Sequence, residues 1–181
     1  MSNLSNLSNL SNMCNALPDA ESLFADLKAQ MATSIAFDAK LVGVFSGGAW
    51  LADRLKAELD GEHEVGYIDV SFYRDDLSTS GLKSNVRSTK IPFSVEGAHI
   101  VIVDDVLFTG RSIRAAVNTL FDFGRPASVQ LAVLVDRGGR ELPIAADFVG
   151  TQLIVAEDLM LALGTTADEK FVLTTEPWKA R

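Results

Sequence analysis

The chain has 181 residues, of which 48% are hydrophobic and 22% are charged, and its formal net charge is −8. This length and composition are typical of one globular domain with a sizeable core, which excludes a wholly disordered chain. The negative charge disfavours broad attraction to nucleic acid, and no apolar run approaches the ~18 residues that span a bilayer. One cysteine and two histidines argue against an internal disulfide and a zinc site.

The N-terminal segment is low in complexity. After Met1, residues 2–12 repeat Ser-Asn-Leu, a polar tract that cannot bury enough apolar surface to order itself. We therefore expect residues 1–17 to be a disordered leader and residues 18–181 to form a single domain. The leader does not resemble a signal peptide, which favours a cytoplasmic protein. Both Met1 and Met13 are possible starts.

The first part of the domain alternates between helical and strand patterns. A first helix is predicted by apolar residues that share one helical face, namely Leu23, Phe24, Leu27, Met31 and Ile35. Residues 41–45 are typical of a buried strand, the next three residues predict a turn, and residues 49–59 predict a second helix. Alternation of apolar and polar residues over 68–72 predicts another strand.

The segment 73–90 has no helical period and is rich in charged residues. A stretch of this length without regular structure in a compact domain is often a functional lid. A β-arm used for packing or dimer contact is the alternative, and the sequence does not choose between them.

The clearest pattern lies at residues 100–121. Residues 100–103 (Ile-Val-Ile-Val) predict a strand buried on both faces, and Asp104 and Asp105 follow it. A loop that ends in Thr-Gly-Arg-Ser then leads into a helix with apolar residues as far as Phe121. The order is therefore strand, acidic pair, glycine-containing loop and helix.

Further strands are predicted at residues 129–135, 148–155 and 170–174. The alternation of strands and helices up to residue 135 predicts an α/β fold with a mostly parallel sheet and helices on both faces. Ligands in such sheets bind at the carboxyl ends of the strands. Because three predicted strands are followed by Ser46, Asp104 and Asp136, we expect these loops to converge on one site.

The central loop has the chemistry of a site for a phosphorylated sugar. A helix N-terminus binds phosphate through its unpaired N–H groups, Gly110 permits close approach, and Thr109 and Ser112 add hydroxyl donors. Asp104 and Asp105 would repel a bare phosphate but accept hydrogen bonds from sugar hydroxyls. For the loop alone, an ordinary strand–turn–helix with an acidic turn is the alternative.

The pattern Asp-Asp-x-x-x-Thr-Gly-x-Ser over 104–112 resembles the 5-phosphoribosyl-1-pyrophosphate (PRPP) motif of type I phosphoribosyltransferases. Residues 73–78, 124–126, 130–138 and 140–144 also resemble the bifunctional pyrimidine operon attenuator/uracil phosphoribosyltransferase family, and the likeness covers roughly residues 20–175. The resemblance implies a type I phosphoribosyltransferase fold: a mostly parallel central sheet flanked by helices, with a small hood and a β-arm or flexible loop.

The resemblance also implies roles for the residues of the motif. The ribose hydroxyls would be held by Asp104 and Asp105, and Asp105 would belong to the catalytic centre. The 5-phosphate would be bound by the loop residues Thr109, Gly110, Arg111 and Ser112. The uracil base would face Val106, Phe108, Val135, Asp136 and Arg137.

The pyrophosphate and the lid involve two other segments. Pyrophosphate would meet the turn formed by Ser46, Gly47 and Gly48, and the Ser46–Gly47 peptide is the candidate for a strained, cis bond. Tyr73 and Arg74 would close over the reacting centre and contact pyrophosphate, with Arg74 assisting catalysis. The alternative for Arg74 is a surface ion pair with a neighbouring aspartate.

The reaction implied is the conversion of uracil and PRPP into UMP and pyrophosphate. Mg²⁺ would arrive on PRPP, since magnesium favours substrate phosphates and water over an all-protein cage, and we expect no direct protein ligand. Purine-specific relatives often carry a carboxylate where this chain has Phe108, which favours a pyrimidine base or a nonstandard role. Phe108 can also be a simple packing residue, and this role is compatible with either a pyrimidine base or a nonstandard role.

The chain departs from the family pattern at several positions. Many members have Thr-Arg-Gly where this chain has Ser46-Gly47-Gly48, so a charge partner for pyrophosphate is lost. Gly139 stands in place of a histidine that is common in the hood. A nucleotide-binding protein without turnover is therefore one alternative to the enzyme.

A regulator that senses uridine nucleotides and binds RNA is the other alternative. The segment 18–37 has Lys28 against Asp19, Glu21 and Asp26, and this negative balance predicts weak or absent RNA binding. We expect a homodimer or a higher homo-oligomer.

The histidines and tryptophans are assigned no part in the chemistry. His63 and His99 are expected at the surface. Trp50 and Trp178 are expected to be packing residues.

Overall fold

A five-stranded parallel sheet forms the centre of the fold. The computed structural model describes residues 17–70 and 88–178. The elements of these residues are α1 (Ala20–Ala32), β1 (Lys40–Val44), α2 (Gly47–Glu58), β2 (Val65–Ile68), β3 (His99–Leu107), α3 (Arg111–Phe121), β4 (Ser128–Asp136), β5 (Phe148–Gln152), β6 (Leu159–Thr165) and β7 (Phe171–Pro177). The sheet has the order β2-β1-β3-β4-β5, and β6 and β7 form a separate antiparallel hairpin.

The first helix forms because its start is capped and one face is apolar. The Asp19 carboxylate accepts hydrogen bonds from the backbone N–H of Ser22 at 3.0 Å and from its hydroxyl at 2.7 Å. Leu27 and Met31, one turn apart, are fully buried against the sheet. The helix therefore covers one face of the sheet.

The register of the strands brings three carboxyl ends to one edge. Gly43 of β1 lies opposite Val103 of β3, and Leu107 of β3 lies opposite Asp136 of β4. The helices α2 and α3 begin directly after β1 and β3, so their N-termini lie at the same edge. This edge carries the polar residues singled out in the sequence.

The β6–β7 hairpin is the hood, and it is fixed to the first two helices. Phe24 and Phe171 pack with ring centroids 5.5 Å apart, and the Arg54 guanidinium lies 4.5 and 5.0 Å from the two rings. The Glu21 carboxylate accepts hydrogen bonds from Arg54 at 2.7 and 2.8 Å and from the Phe171 N–H at 2.6 Å. The apolar side of the hairpin is buried in the same core cluster as α1.

The predicted α/β fold is confirmed, with three corrections to its elements. The central strand continues to Leu107, so Asp104 and Asp105 lie within β3, because β3 and β4 remain paired as far as Asp136. The strand predicted over 68–72 is β2, which begins at Val65, where it pairs with β1, and ends at Ile68. The strand β6 was not predicted.

The prediction that His63 is a surface residue is wrong. It is 6% exposed, and its Nδ1 lies 2.8 Å from the Ala39 carbonyl oxygen. His99 is exposed, as predicted. None of the helices in the described part of the chain is long and apolar enough to cross a membrane.

Two predicted segments lie mostly outside the described residues. The leader, 1–17, is described only at Leu17, and the segment 73–90 is described only from Ser88. Within the described residues 88–90, Lys90 pairs with Tyr67 of β2 through backbone hydrogen bonds of 2.8 and 2.9 Å. The disordered leader and the lid remain predictions.

Candidate active site

A cavity opens at the carboxyl ends of β3 and β4. Its lining joins the acidic end of β3, the loop that leads into α3, the end of β4 and the hood. The lining residues are Asp104, Val106, Leu107, Phe108, Thr109, Gly110, Ser112, Ile113, Arg137, Met160, Leu161 and Trp178. Six predicted site residues from the motif and one from the end of β4 are thus brought together.

The two adjacent carboxylates point in different directions. Successive side chains of a strand lie on opposite faces, so only one of the pair can face the cavity. Asp104 lines the cavity and is 5% exposed. Asp105 is 8% exposed and faces Gly47, and its Oδ2 lies 3.4 Å from the backbone N of Leu163 in the hood. The strand therefore separates the environments of the two predicted ribose ligands.

The loop before α3 has the geometry of an anion site. Gly110 has φ of +91°, a conformation that favours glycine, and the helix begins at the next residue. The Thr109 hydroxyl accepts a hydrogen bond from the Arg111 N–H at 3.3 Å, while Ser112 lines the cavity one residue further on. The Arg111 guanidinium forms an ion pair with Glu141. The loop thus offers hydroxyls and a helix N-terminus to the cavity.

The Ser-Gly-Gly turn after β1 packs tightly against β3. A β-carbon at Gly48 would lie 2.2 Å from the Val103 carbonyl oxygen, and one at Gly47 would lie 2.6 Å from the Asp105 carboxyl group. Only glycine permits this approach at Gly48. The cis peptide precedes Ser46, joining it to Phe45, so the prediction that it joins Ser46 and Gly47 is wrong by one residue.

An aromatic wall, formed by Phe108, Met160, Leu161 and Trp178, makes up the apolar part of the cavity lining. The Arg137 guanidinium lies 4.1 Å from the centroid of the Phe108 ring, and its Nη1 donates to the Leu159 carbonyl oxygen at 3.1 Å. Burial lowers the pKa of Arg137 from its ordinary value. Trp178 meets Phe108 edge-on at 6.2 Å, so it packs as predicted but also lines the cavity. The aromatic wall suits a planar, uncharged group.

Two residues predicted to face the base lie elsewhere in the described structure. Val135 is fully buried in the core. The Asp136 carboxylate accepts hydrogen bonds from Arg140 at 2.5 Å and from the Gly138 N–H at 2.9 Å. Neither residue is among those that line the cavity. Of the three residues predicted at the end of β4, only Arg137 lines it.

Comparison with known proteins agrees with this geometry. The model of the phosphoribosyl transferase domain family matches residues 11–166. The chain is 49% identical over 160 residues to the bifunctional protein PyrR of Ralstonia nicotianae, covering 87% of this chain and 91% of that protein. It is 50% identical over 131 residues to PyrR of Pseudomonas entomophila, covering 72% and 76%. The chain belongs to the PyrR group of type I phosphoribosyltransferases.

Solved structures support the fold of this phosphoribosyltransferase. A hypoxanthine-guanine phosphoribosyltransferase from Bacillus anthracis matches with a TM-score of 0.60 and 17% identity, over 76% of this chain and 80% of that one. Hypoxanthine phosphoribosyltransferase from Trypanosoma cruzi matches with a TM-score of 0.57 and 25% identity, over the same shares. The family resemblance inferred from the motifs is confirmed.

Five residues that line the cavity were not assigned to a site from the sequence. Leu107 and Ile113 lie within the motif segment, and the other three come from the later chain. Met160 and Leu161 belong to β6, and Trp178 follows β7. Leucines at 159, 161 and 163 alternate along β6 and were an available strand signal. The predicted lid residues Tyr73 and Arg74 lie outside the described residues.

Proposed function

We propose that this phosphoribosyltransferase transfers the ribose 5-phosphate of PRPP to uracil, giving UMP and pyrophosphate. One observation supports the proposal: a single cavity is lined both by a carboxylate and a hydroxyl-bearing helix N-terminus and by a set of apolar and aromatic side chains. A phosphorylated sugar fits the first set of groups and a planar base fits the second.

The 5-phosphate and the ribose are assigned by chemistry to different parts of the cavity. The phosphate is assigned to residues Thr109–Ser112, where hydroxyls and backbone N–H groups lie at the start of α3. The ribose hydroxyls are assigned to Asp104, which faces the cavity. Asp105 is proposed to bind the ribose as a second carboxylate or to act in catalysis. It lies next to Gly47 of the turn proposed to bind pyrophosphate.

The preference for uracil rests on the aromatic wall. Phe108 stands where a purine enzyme would use a carboxylate, and its ring contacts the Arg137 guanidinium and, edge-on, the ring of Trp178. Met160 and Leu161 of the hood complete an apolar enclosure. A small pyrimidine can stack on these surfaces, while Arg137 offers N–H donors to a base carbonyl. Val135 and Asp136 are proposed to act through the backbone and loop around Arg137.

The residues present fit Mg²⁺ that arrives on PRPP. Asp104 and Asp105 place carboxylate oxygens beside the proposed ribose and pyrophosphate sites, where they could accept hydrogen bonds from the water molecules that magnesium keeps when it is bound to substrate phosphates. When bound, the ion would neutralise charge on the departing pyrophosphate. We propose no direct protein ligand to it.

In the proposed reaction the bond from the ribose C1 to the pyrophosphate oxygen breaks, a bond from C1 to N1 of uracil forms, and the N1 proton is released. The protein's tasks are to align the two reactants and to exclude water, which would otherwise attack C1. The hood residues cover the base side. Closure from the other side is assigned to Tyr73 and Arg74, whose roles remain predictions.

A second function, RNA binding, is implied by the resemblance to the operon attenuator family, and the relatives are named bifunctional protein PyrR. In this chain the charges near α1 are neutralised within the fold. Lys28 is ion-paired with Glu58 at 2.6 Å, and Arg54 is ion-paired with Glu21 at 2.7 Å. Paired cations are poorly placed to neutralise RNA phosphates, so we propose that RNA binding is weak or absent.

The decisive experiment is a transfer assay with PRPP and Mg²⁺, in which uracil, orotate, hypoxanthine and guanine are compared. We expect UMP to form from uracil and no nucleotide to form from the other three bases. A purine product, or no product with any base, would contradict the proposal; in the second case UMP binding would identify a nucleotide-binding protein without turnover. A sequence-specific sub-micromolar complex with pyrimidine-operon leader RNA would contradict weak RNA binding.

A further inference from the structure

Arg140 lies behind the cavity wall and outside the cavity lining, and its guanidinium is surrounded by acceptors from three segments of the chain. Nη2 donates to the Asp136 carboxylate at 2.5 Å, and Nη1 donates to the Phe108 carbonyl oxygen at 2.6 Å. The remaining acceptors are the carbonyl oxygens of Ile144 at 3.0 Å, Gly138 at 3.1 Å and Leu107 at 3.3 Å. One side chain thus cross-links the ends of β3 and β4.

These acceptors belong to the backbone of the proposed substrate site. Leu107 and Phe108 line the cavity, and Asp136 directly precedes Arg137, whose guanidinium lies over the Phe108 ring. The bonds from Arg140 therefore fix the backbone on both sides of this stacked pair. The guanidinium is planar and has five N–H donors, so it can contact acceptors from all three segments at once, with the two Nη1 hydrogens shared among three carbonyl oxygens. Lysine has a single ammonium group.

The segment that follows Arg140 supports the phosphate loop. The backbone N–H groups of Glu141 and Leu142 donate to the Thr109 carbonyl oxygen at 3.0 and 3.1 Å. The Ile144 side chain packs against Gly110, where an added β-carbon would come within 3.1 Å of it. The residues that form the 5-phosphate loop are therefore held from behind by the segment that Arg140 anchors.

Two glycines before Arg140 permit this arrangement. Gly138 and Gly139 have φ of +73° and +68°, conformations that other residues rarely adopt. A β-carbon at Gly139 would lie 2.3 Å from the Phe108 ring. The chain can therefore turn back sharply beneath Phe108 and bring the Arg140 guanidinium to its carbonyl oxygen.

We propose that Arg140 is a positioning residue that couples the base side of the site to its 5-phosphate side. The proposal rests on the function proposed above, since it assigns these two sides to a base and to PRPP. Loss of the guanidinium releases the Phe108–Gly110 backbone from the end of β4, and both substrates then bind less tightly. The Asp136 carboxylate, left without its cation, loosens the same loop.

The test uses the full chain with Arg140→Gln, Arg140→Lys and Arg140→Ala. The Kd of PRPP is measured by calorimetry with Mg²⁺ and without base. We expect this Kd to rise about tenfold or more in Arg140→Gln. The KM of the base that the parent protein uses should rise by a similar factor. Arg140→Lys should fail to restore either constant, because it keeps the charge without the planar set of donors. Guanidinium ion added to Arg140→Ala should restore part of the PRPP affinity.

The matched control is Arg125→Gln, an exposed arginine in the turn before β4. It should leave both constants within twofold of the parent. A folded Arg140→Gln with unchanged Kd and KM, and only a lower melting temperature, would show a merely structural residue and overturn the proposal. If Arg140→Gln does not fold, Arg140→Lys takes the same test with the same criterion. A parent that binds PRPP but rejects uracil contradicts the proposed base alone, and the PRPP measurements still decide the role of Arg140.

Discussion

Replacement of Asp104 by asparagine tests the division of labour between the two carboxylates. Asp104 faces the cavity and is 5% exposed, so its charge is presented to the ligand with little screening by water. Its Oδ1 accepts the Asp105 N–H at 2.9 Å, a bond that an asparagine oxygen can also accept. The fold should therefore survive while the interaction with the ribose hydroxyls weakens.

The expected size follows from the bonds that are lost. Hydrogen bonds to a charged group contribute about 1.5–3 kcal/mol, so PRPP affinity should fall about 10- to 150-fold in Asp104→Asn. Asp105→Asn should have a smaller effect on PRPP affinity, because Asp105 faces Gly47 and the hood. Calorimetric titration with PRPP and Mg²⁺ measures both, and thermal denaturation verifies that the variants are folded.

Two outcomes would refute this reasoning. A folded Asp104→Asn with PRPP affinity within twofold of the parent would remove Asp104 from the ribose site. A loss in Asp105→Asn equal to or greater than that in Asp104→Asn would show that the strand alternation seen in β3 does not separate the two roles.

Three further variants test the turn, the hood and the base wall. Gly48→Ala should destabilise the fold by about 1–3 kcal/mol in chemical denaturation, because the added carbon would meet a backbone carbonyl of β3 at 2.2 Å. Hydrogen bonding to Arg54 lowers the pKa of Glu21 below its ordinary 4.5, so this pair stabilises the fold above that pH and the contribution is lost as the pH falls through the lowered value. Glu21→Gln should therefore lose about 1 kcal/mol, or roughly 2–4 °C in Tm, at pH 7, and the two melting temperatures should converge in acid. In a Trp50→Phe background, UMP should change the fluorescence of Trp178, which lines the cavity.

Each of these variants has its own control. Gly164→Ala should change stability by less than about 0.5 kcal/mol, since its added carbon meets only ordinary contacts from 3.6 Å outward; an equal loss there would remove the steric argument for the turn. A difference in Tm that is constant with pH would contradict the role of the Glu21 charge. Trp178→Phe, which retains Trp50, should show no response to UMP, and an unresponsive Trp178 at saturating UMP would place the base elsewhere.

Local patterns were sufficient to predict the fold class and several of the residues that line the cavity. The apolar run before Asp104 and the Thr-Gly-Arg-Ser loop after it predicted the central strand, the following helix and the glycine-containing loop between them. These signals are local because a buried strand, a tight glycine turn and a helix start each depend on residues close together in the chain. The remaining strand β6 was overlooked although its leucines alternate.

Contacts between distant segments were not predictable in the same way. The acidic pair looked equivalent in sequence, yet pairing of β3 with β4 extended the strand through it and turned the two carboxylates to opposite faces. His63 was predicted to be a surface residue, but its Nδ1 lies within hydrogen-bonding distance of the Ala39 carbonyl oxygen, a contact that the local sequence does not indicate. Nothing in the sequence indicated that the Asp136 carboxylate is hydrogen-bonded to Arg140.

The sequence by itself determined which chemistry this protein carries: two carboxylates, a hydroxyl-bearing loop and a glycine turn, in an order specified by strand and helix periodicity. Only the tertiary structure decided which of these groups share a cavity, since β-strand register and the docking of the hood bring together residues as distant as Asp104 and Trp178. Such contacts form because the apolar faces of separate elements are buried together, and that burial depends on the whole chain rather than on any local pattern.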